Sequence, residues 1–402
     1  MDHKPYTDKY FLRTNQILKA KGWDPWVRAQ VFIRRGPGEV AGLAEAIDFI
    51  RYAGFTGRIF AIEDGETYCS AETLMLLEGR LQELVELETV YLGIISARTT
   101  VYNLNKRRAL TQDLDSYSAG IIESAREIFD KLTSLCHRPV YYGGARHWHW
   151  SKDRKIAQAA FAGGANDCST DIGGSTVNKE GIGTIPHVLE TVTEWLYDKD
   201  RAVVEATKAF DEVIDLKVPR IALVDYANHE LTDTLTVAKE IPSLSAVRVD
   251  TCGENVMQGG LSAFAGYYVN DTTHNSVLRL ILDDTLINIP SEDLKYWFGN
   301  GVTVKGVWEL NESLRKNGQE RVKVILSSGF GSPKKMAAFI RAEDMLQTKL
   351  FDSVLVGDVF GEDLDLRFAT MDVVAVGRDS DGMRLISKTG RPYRPNIRLV
   401  EK

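Results

Sequence analysis

From Arg138 to Gly357 the chain repeats one pattern: a short apolar run, then a stretch whose apolar residues fall at helical spacing. The runs are Arg138–Tyr142, Ala165–Asp171, Arg220–Asp225, Ala246–Thr251, Val322–Ser327 and Ser353–Gly357. Helical patterns follow near Lys155–Ala162, Pro186–Tyr197, Ala202–Ile214, Thr232–Glu240 and Pro333–Ala342. Strand-then-helix alternation over half the chain argues for parallel βα units. Continuously apolar strands suit a sheet buried on both faces. No glycine-rich dinucleotide loop opens the series, so a barrel fits at least as well as an open sheet.

The flanks read differently. Trp26–Arg34 alternates like a strand and Gly36–Gly38 turns the chain. A helix is expected over Val40–Tyr52, a strand over Gly57–Ile62, and helices over Leu84–Ile95 and Tyr117–Leu135. From Met371 the pattern returns to strands without helices (DVVAVG, MRLISKTG). The fold class expected is therefore α/β: an irregular, TIM-like (β/α) barrel over 136–369, beside an α+β domain formed by 1–135 and the C-terminal strands of 370–402. Residues 253–320 fit this rhythm least and leave room for an insertion.

Composition excludes several classes. Hydrophobic residues are 44% and charged residues 26%, which rules out a disordered or collagen-like chain. The net charge of −7 disfavours nucleic acid and anionic membranes as partners, while allowing a local basic pocket. Cys69, Cys136, Cys168 and Cys252 form no CxxC pair and suit a reducing compartment. The polar N-terminus has no signal-peptide core, and no apolar run reaches the ~18 residues of a membrane span. A cytoplasmic enzyme is expected.

Four segments carry candidate chemistry. Ser327-Ser328-Gly329, with Gly331 and Ser332 before Pro333, ends a strand and opens a helix. Glycines allow close backbone approach, and a helix start presents free N–H groups, so the segment reads as an anion site or as an ordinary tight turn. Gly357-Asp358 ends the next strand, and phosphate pockets of (β/α)₈ barrels follow the last two strands. Gly143-Gly144-Ala145-Arg146-His147-Trp148-His149-Trp150 is a cationic strand-end loop. It reads as an anion clamp, as a metal-binding His pair (His147, His149) or as packing. Gly183-Thr184-Ile185-Pro186-His187 opens a helix, where the dipole favours a neutral imidazole acting as nucleophile, base or substrate contact. Asp171, beside Gly173-Gly174, Asp225 and the pair Arg248/Asp250 stand at strand ends, as catalytic carboxylates of barrels do.

At these residues the sequence resembles the nicotinate phosphoribosyltransferase family, the type II phosphoribosyltransferases. The resemblance runs over most of the chain through Thr7-Asp8-Lys9-Tyr10-Phe11, Arg146-His147, Gly183–His187, Arg248–Thr251, Ser327–Phe330 and Gly357-Asp358. It implies transfer of phosphoribose from phosphoribosyl diphosphate, with Mg²⁺, to the ring nitrogen of a pyridine carboxylate such as nicotinate. It also implies a homodimer or higher homo-oligomer with sites at the interface. Tyr10 would stack on the pyridine from the neighbouring subunit, and Arg146 would contact ligand near the ring. His147 and Thr184 would join the substrate-binding set with Asp171 and Asp225. Ser327, Ser328, Gly329, Gly357 and Asp358 would hold the 5′-phosphate, and Arg248 and Asp250 the ribose and diphosphate. His187 matches a histidine that is phosphorylated in ATP-coupled members, so ATP is a candidate co-substrate, although no GxxxxGK[ST] loop is present. Asp171 falls near the position where nicotinamide users carry an acid, with Asp167 four residues away, so nicotinamide is the alternative pyridine. Two rival readings follow from the residues alone. One is a metal-dependent amidohydrolase-like barrel using His147, His149, His187, His229 and an aspartate. The other is a non-catalytic phosphate-binding barrel.

Overall fold

The computed structural model describes residues 2–262, 277–282, 285–359 and 365–402. Two six-stranded sheets organise them. The first begins with β1 (Trp26–Ile33), β2 (Arg58–Ala61) and β3 (Thr73–Arg80). The second contains β4 (Val140–Tyr142), β5 (Asp167–Cys168), β6 (Arg220–Leu223), β7 (Leu244–Val249), β8 (Lys323–Leu326) and β9 (Ser353–Val356). The chain then returns to the first sheet with β10 (Ala369–Gly377), β11 (Arg384–Leu385) and β12 (Val400–Glu401).

The first sheet is antiparallel in the order β11-β10-β1-β3-β2-β12. Strands from both chain ends thus share one sheet. β1 is central: Trp26 pairs with Gly377 on one side and Arg80 on the other. Its valines and isoleucine are fully buried, which suits β-branched residues on a doubly covered strand. The sequence reading lacked β3. Its run LMLLEGR is apolar without alternation, and periodicity cannot tell such a run from a buried helix.

The second sheet is parallel in the order β5-β4-β9-β8-β7-β6. It has six strands where a TIM barrel has eight, and among the described residues no ladder joins β5 to β6. An extended segment lies across that seam instead. Ile182 N–H donates to Cys168 O at 2.8 Å, and Thr184 Oγ1 donates to Ile221 O at 3.0 Å. Among the described residues, the irregular TIM-like barrel expected over 136–369 is seen as a six-stranded parallel sheet with a laced seam. The expected strand over Ala165–Asp171 shrinks to β5, because the chain turns at Thr170, whose hydroxyl accepts from Gly173 N–H.

Residues 253–320 lie partly outside the described residues. Within them, Val277–Leu282 and Thr285–Pro290 form an antiparallel pair, and the helix Val304–Lys316 precedes β8. That helix buries Val304, Val307 and Leu310 in the same core as β7 and β8, so it is a crossover helix of the parallel layer and not part of an insertion.

Five helices position the site: α1 (Lys9–Lys21), α2 (Glu88–Arg108), α3 (Leu114–Cys136), α4 (His187–Leu196) and α5 (Pro333–Leu346). α3 starts at Asp113, whose carboxylate accepts from Ser116 N–H at 2.9 Å, a preferred N-cap arrangement. α5 starts at Ser332 with Pro333 in its first turn. α4 buries Val188, Leu189 and Val192 in the core of the antiparallel sheet. Among the described residues, no helix is long and apolar enough to cross a membrane.

Candidate active site at the carboxyl edge of the parallel sheet

Parallel strands end on one side, and the polar residues that follow them converge there. Gly143 follows β4, Asp250 β7, Ser327 β8 and Gly357 β9; all four line one cavity of about 910 Å³. Ligand crevices of α/β sheets occupy this edge. The antiparallel sheet roofs the cavity through Thr370–Val373 of β10.

The turn after β8 is tight. Ser328 and Gly329 both adopt left-handed backbone, with φ of 66° and 80°. A non-glycine residue there is uncommon and marks a constrained loop. Gly331 packs against the turn after β9: a Cβ on it would lie 1.8 Å from Asp358 O. The two loops therefore touch through backbone, and Ser327, Ser328, Gly329, Gly357 and Asp358 all line the cavity. The sequence reading missed Lys335. Its ammonium reaches back from α5 to donate to Ser328 O at 2.9 Å, and it lies 4.5 Å over the Phe330 ring. Burial lowers this amine to about 8, although Asp250 opposes the shift.

Arg248 and Asp250 face the same side, as i and i+2 residues of a strand must. Arg248 Nη1 lies 3.2 Å from Asp250 Oδ2, and Asp250 Oδ1 accepts from Ser327 Oγ at 2.8 Å. Both line the cavity.

His187 opens α4 and lines the cavity. Its Nε2 lies 2.9 Å from Asp225 Oδ1 and 3.0 Å from Lys388 Nζ. Burial lowers the imidazole pKa, and Lys388 adds to this, so the neutral form prevails. Asp225 was expected to bind substrate. It is instead fully buried behind His187, and its second oxygen takes the Lys388 ammonium. Burial alone would raise this carboxyl, but Lys388 and His187 outweigh it and hold the group well below the usual range. Asp225 therefore orients its neighbours and does not reach the cavity wall. Lys388 does, together with Arg391 from the same C-terminal segment. Neither was among the expected site residues.

Tyr10 and Arg146 meet at the other end of the cavity, with Arg146 Nη1 donating to the Tyr10 hydroxyl at 3.1 Å. Tyr10 belongs to the same chain as the cavity it lines. The N-terminal segment is tied to the end of β5 by an Asp8–Thr170 bridge and by Lys9 N–H donating to Ser169 O at 2.8 Å. Glu88, at the start of α2, lies 3.3 Å from Arg146 and also lines the cavity; the sequence reading missed it.

His147 lines the cavity beside Gly357, with Nδ1 2.7 Å from Gly357 O and its ring stacked 4.4 Å from Phe368. Burial, with Arg146 adding to it, lowers this histidine to about 4, so the imidazole is neutral. Thr184 lines the cavity at the seam.

Asp171 is absent from the cavity wall. Lys9 Nζ grips both its oxygens at 2.9 Å, and Gly181 N–H donates to it at 2.8 Å. Asp167 is the residue that reaches the wall, paired with Lys179 at 2.9 Å. The metal-dependent reading loses its ligands in the same way. His149 bonds Glu45 and Ser151, and His229 lies 3.9 Å from Asp200. Among the described residues no cluster of three His, Cys, Asp or Glu is arranged to hold a metal. Trp148 is buried and donates to Ser118, so it packs.

Residues 8–98 match the family described as quinolinate phosphoribosyl transferase, N-terminal domain. The match to the quinolinate phosphoribosyl transferase family covers this N-terminal segment of the chain alone. The fold as a whole is similar to two solved structures. One is nicotinate phosphoribosyltransferase from Porphyromonas gingivalis, with 13% identity, TM-score 0.59, and coverage of 96% of this chain and 92% of that one. The second structure is nicotinate phosphoribosyltransferase from Vibrio cholerae, with 11% identity, TM-score 0.62, and coverage of 96% and 87%. At these identities the likeness to either structure is one of fold. A search of curated proteins finds no match. Within this fold, the cavity lies at the carboxyl ends of the parallel strands.

Proposed function

We propose that this chain transfers phosphoribose from phosphoribosyl diphosphate to nicotinate, giving nicotinate mononucleotide and diphosphate for NAD synthesis. One observation carries the reading. A single cavity joins the glycine-exposed loops at Ser328-Gly329 and Gly357 to the Arg248/Asp250 pair and the Tyr10/Arg146 pair. That is an anchor for a phosphate, a site for a ribose carrying a leaving diphosphate, and an aromatic-cationic end for a pyridine carboxylate.

Each residue then has a task. The two loops present backbone N–H groups and Ser328 to the 5′-phosphate. Arg248 faces the negative charge that builds on the diphosphate as its bond to C1 breaks. Asp250 stabilises the positive charge that develops on the ribose. The pyridine nitrogen supplies the electron pair that forms the new bond to C1, so no strong base is needed. Tyr10 and Arg146 hold the ring and its carboxylate in line, and positioning of this kind is a large part of catalysis. Mg²⁺ fits the donor set, because it binds through diphosphate oxygens plus one or two carboxylates, and Asp250 and Asp358 both line the cavity. When bound it would neutralise the departing diphosphate.

His187 presents a neutral imidazole, backed by Asp225 and Lys388, to the same cavity. A phosphorylated intermediate formed with ATP fits that arrangement. Quinolinate is the second reading for the pyridine, favoured by the family match over residues 8–98. Nicotinamide remains the further alternative: Asp171 is turned away to Lys9, but the acid Asp167 reaches the cavity wall. The test incubates the protein with phosphoribosyl diphosphate, Mg²⁺ and nicotinate, quinolinate or nicotinamide, with and without ATP, and follows mononucleotide formation. Nicotinate mononucleotide is expected; no mononucleotide from any pyridine sinks the proposal.

A further inference from the structure

We infer that Glu88, when ionised, limits the pyridine acceptor to one carboxylate, by giving Arg146 a counter-charge inside the pocket. The inference rests on the phosphoribosyltransferase reading and deepens it by naming the acceptor class.

The geometry is a shared guanidinium. Arg146 Nη1 lies 3.3 Å from Glu88 Oε1 and 3.1 Å from the Tyr10 hydroxyl. The Tyr10 hydroxyl in turn lies 3.3 Å from Asp8 Oδ2. Asp8 is 1% exposed and pinned by Thr89, whose hydroxyl donates to Oδ2 at 3.0 Å and accepts the Asp8 N–H at 3.0 Å. Glu88 is 4% exposed. One cation thus faces two fixed carboxyls at the pyridine end. A monocarboxylate can join Arg146 if one of those carboxyls holds a proton. A second carboxylate on the ring would lie against Asp8 and, once it has ionised, Glu88, and like charges juxtaposed in a binding pocket reject a ligand.

The groups facing Glu88 define its ionisation. They are Arg146, Asp8 and Tyr10 from the N-terminal segment, Asp372 from β10, and Tyr91 on its own helix. Burial raises the Glu88 carboxyl to about 8; Arg146 opposes this, and Asp8 and Asp372 reinforce it. Near neutrality the group is an acid that leaves Arg146 available. Above that point it ionises and competes with the substrate carboxylate for the same guanidinium. The KM for nicotinate should therefore rise as pH climbs through about 8.

The experiment compares wild type with Glu88→Gln. Steady-state kinetics are run with nicotinate and with quinolinate from about pH 6.5 to about pH 9.5, alongside calorimetric affinities for both acids. At the alkaline end of this range, where Glu88 is ionised, wild type should prefer nicotinate by about 100-fold or more. Glu88→Gln should cut that preference by about 10-fold or more, through tighter quinolinate binding, and should flatten the rise in nicotinate KM. Wild type taking quinolinate as readily as nicotinate overturns the inference, and so does an unchanged ratio in the variant. A protein that forms no mononucleotide defeats the reaction assigned above, while the calorimetric ratio still judges Glu88. Glu88→Met gives the same readout where the amide variant does not fold.

Discussion

Asp225 bridges His187 and Lys388: one of its oxygens lies 2.9 Å from His187 Nε2 and the other takes the Lys388 ammonium. The lysine is 163 residues further along the chain, on the C-terminal segment that crosses back to the cavity. A fully buried carboxylate is tolerated only when paired, and here the pairing also joins the parallel layer to the returning chain end.

Removing the lysine should be costly. Lys388→Met leaves Asp225 buried with only the histidine, and breaking a buried pair costs about 3–5 kcal/mol. Urea denaturation at neutral pH checks this. The sign of the pH dependence follows from the depressed Asp225 pKa. The stabilisation is complete above the unfolded-state value near 3.8 and is lost as pH falls below it. The wild-type advantage over Lys388→Met should therefore persist at neutral pH and shrink only in strong acid.

Arg248 and Asp250 are expected to carry turnover and not the fold. Their contacts are with each other, with Ser327 and with Ile185 O, all at the cavity edge. Arg248→Ala or Asp250→Ala should give a folded protein whose kcat falls by about 10²–10³, the size expected for losing one charge-stabilising group. Circular dichroism checks folding and steady-state kinetics check the rate. Near-normal rates in both variants would remove the pair from the mechanism.

The sequence exposed the parts of the site that are made by local chain geometry. Ser327–Gly329 and Gly357 were legible because a strand, a glycine turn and a helix start follow one another within a few residues. Arg248 and Asp250 were legible because alternation along one strand puts i and i+2 on one side. Partner choice was not legible. Asp171 has the same strand-end, glycine-flanked setting as a site carboxylate, and only folding shows that Lys9 claims it. Lys388 lies in the run MRLISKTG, which reads only as a strand, and Arg391 follows it; both reach the cavity through tertiary return alone. The parallel layer was legible from its strand-helix rhythm, whereas its closure was not. A seam held by one backbone bond from Ile182 and the Thr184 hydroxyl leaves no apolar run to read.

The backbone contact between the two phosphate-side loops makes a further prediction. Gly331→Ala would set a methyl 1.8 Å from Asp358 O, so one loop must move. Gly329→Ala meets no crowding, its nearest neighbour being Lys335 Nζ at 3.7 Å, but carries the cost of left-handed backbone, about 1–2 kcal/mol. The KM for phosphoribosyl diphosphate should therefore rise much more in Gly331→Ala than in Gly329→Ala, with nicotinate KM little changed in either. Equal effects would mean that the loops are not held together by this contact.

His147 provides a stability test that is independent of catalysis. Its imidazole is stacked on Phe368 and fixed to Gly357 O, and burial lowers its pKa from 6.5 to about 4. Between those values the unfolded chain binds a proton that the folded chain does not. Unfolding is therefore favoured as pH falls through that window, and the stabilisation is whole only above the unfolded-state value. His147→Gln removes the titrating group. The unfolding free energy of the variant, measured by denaturant titration from about pH 7 down to about pH 4, should fall less steeply with acid than that of wild type. Parallel slopes for the two proteins would show that the ring is protonated as readily in the fold as in water, and that its place against Phe368 does not shield it.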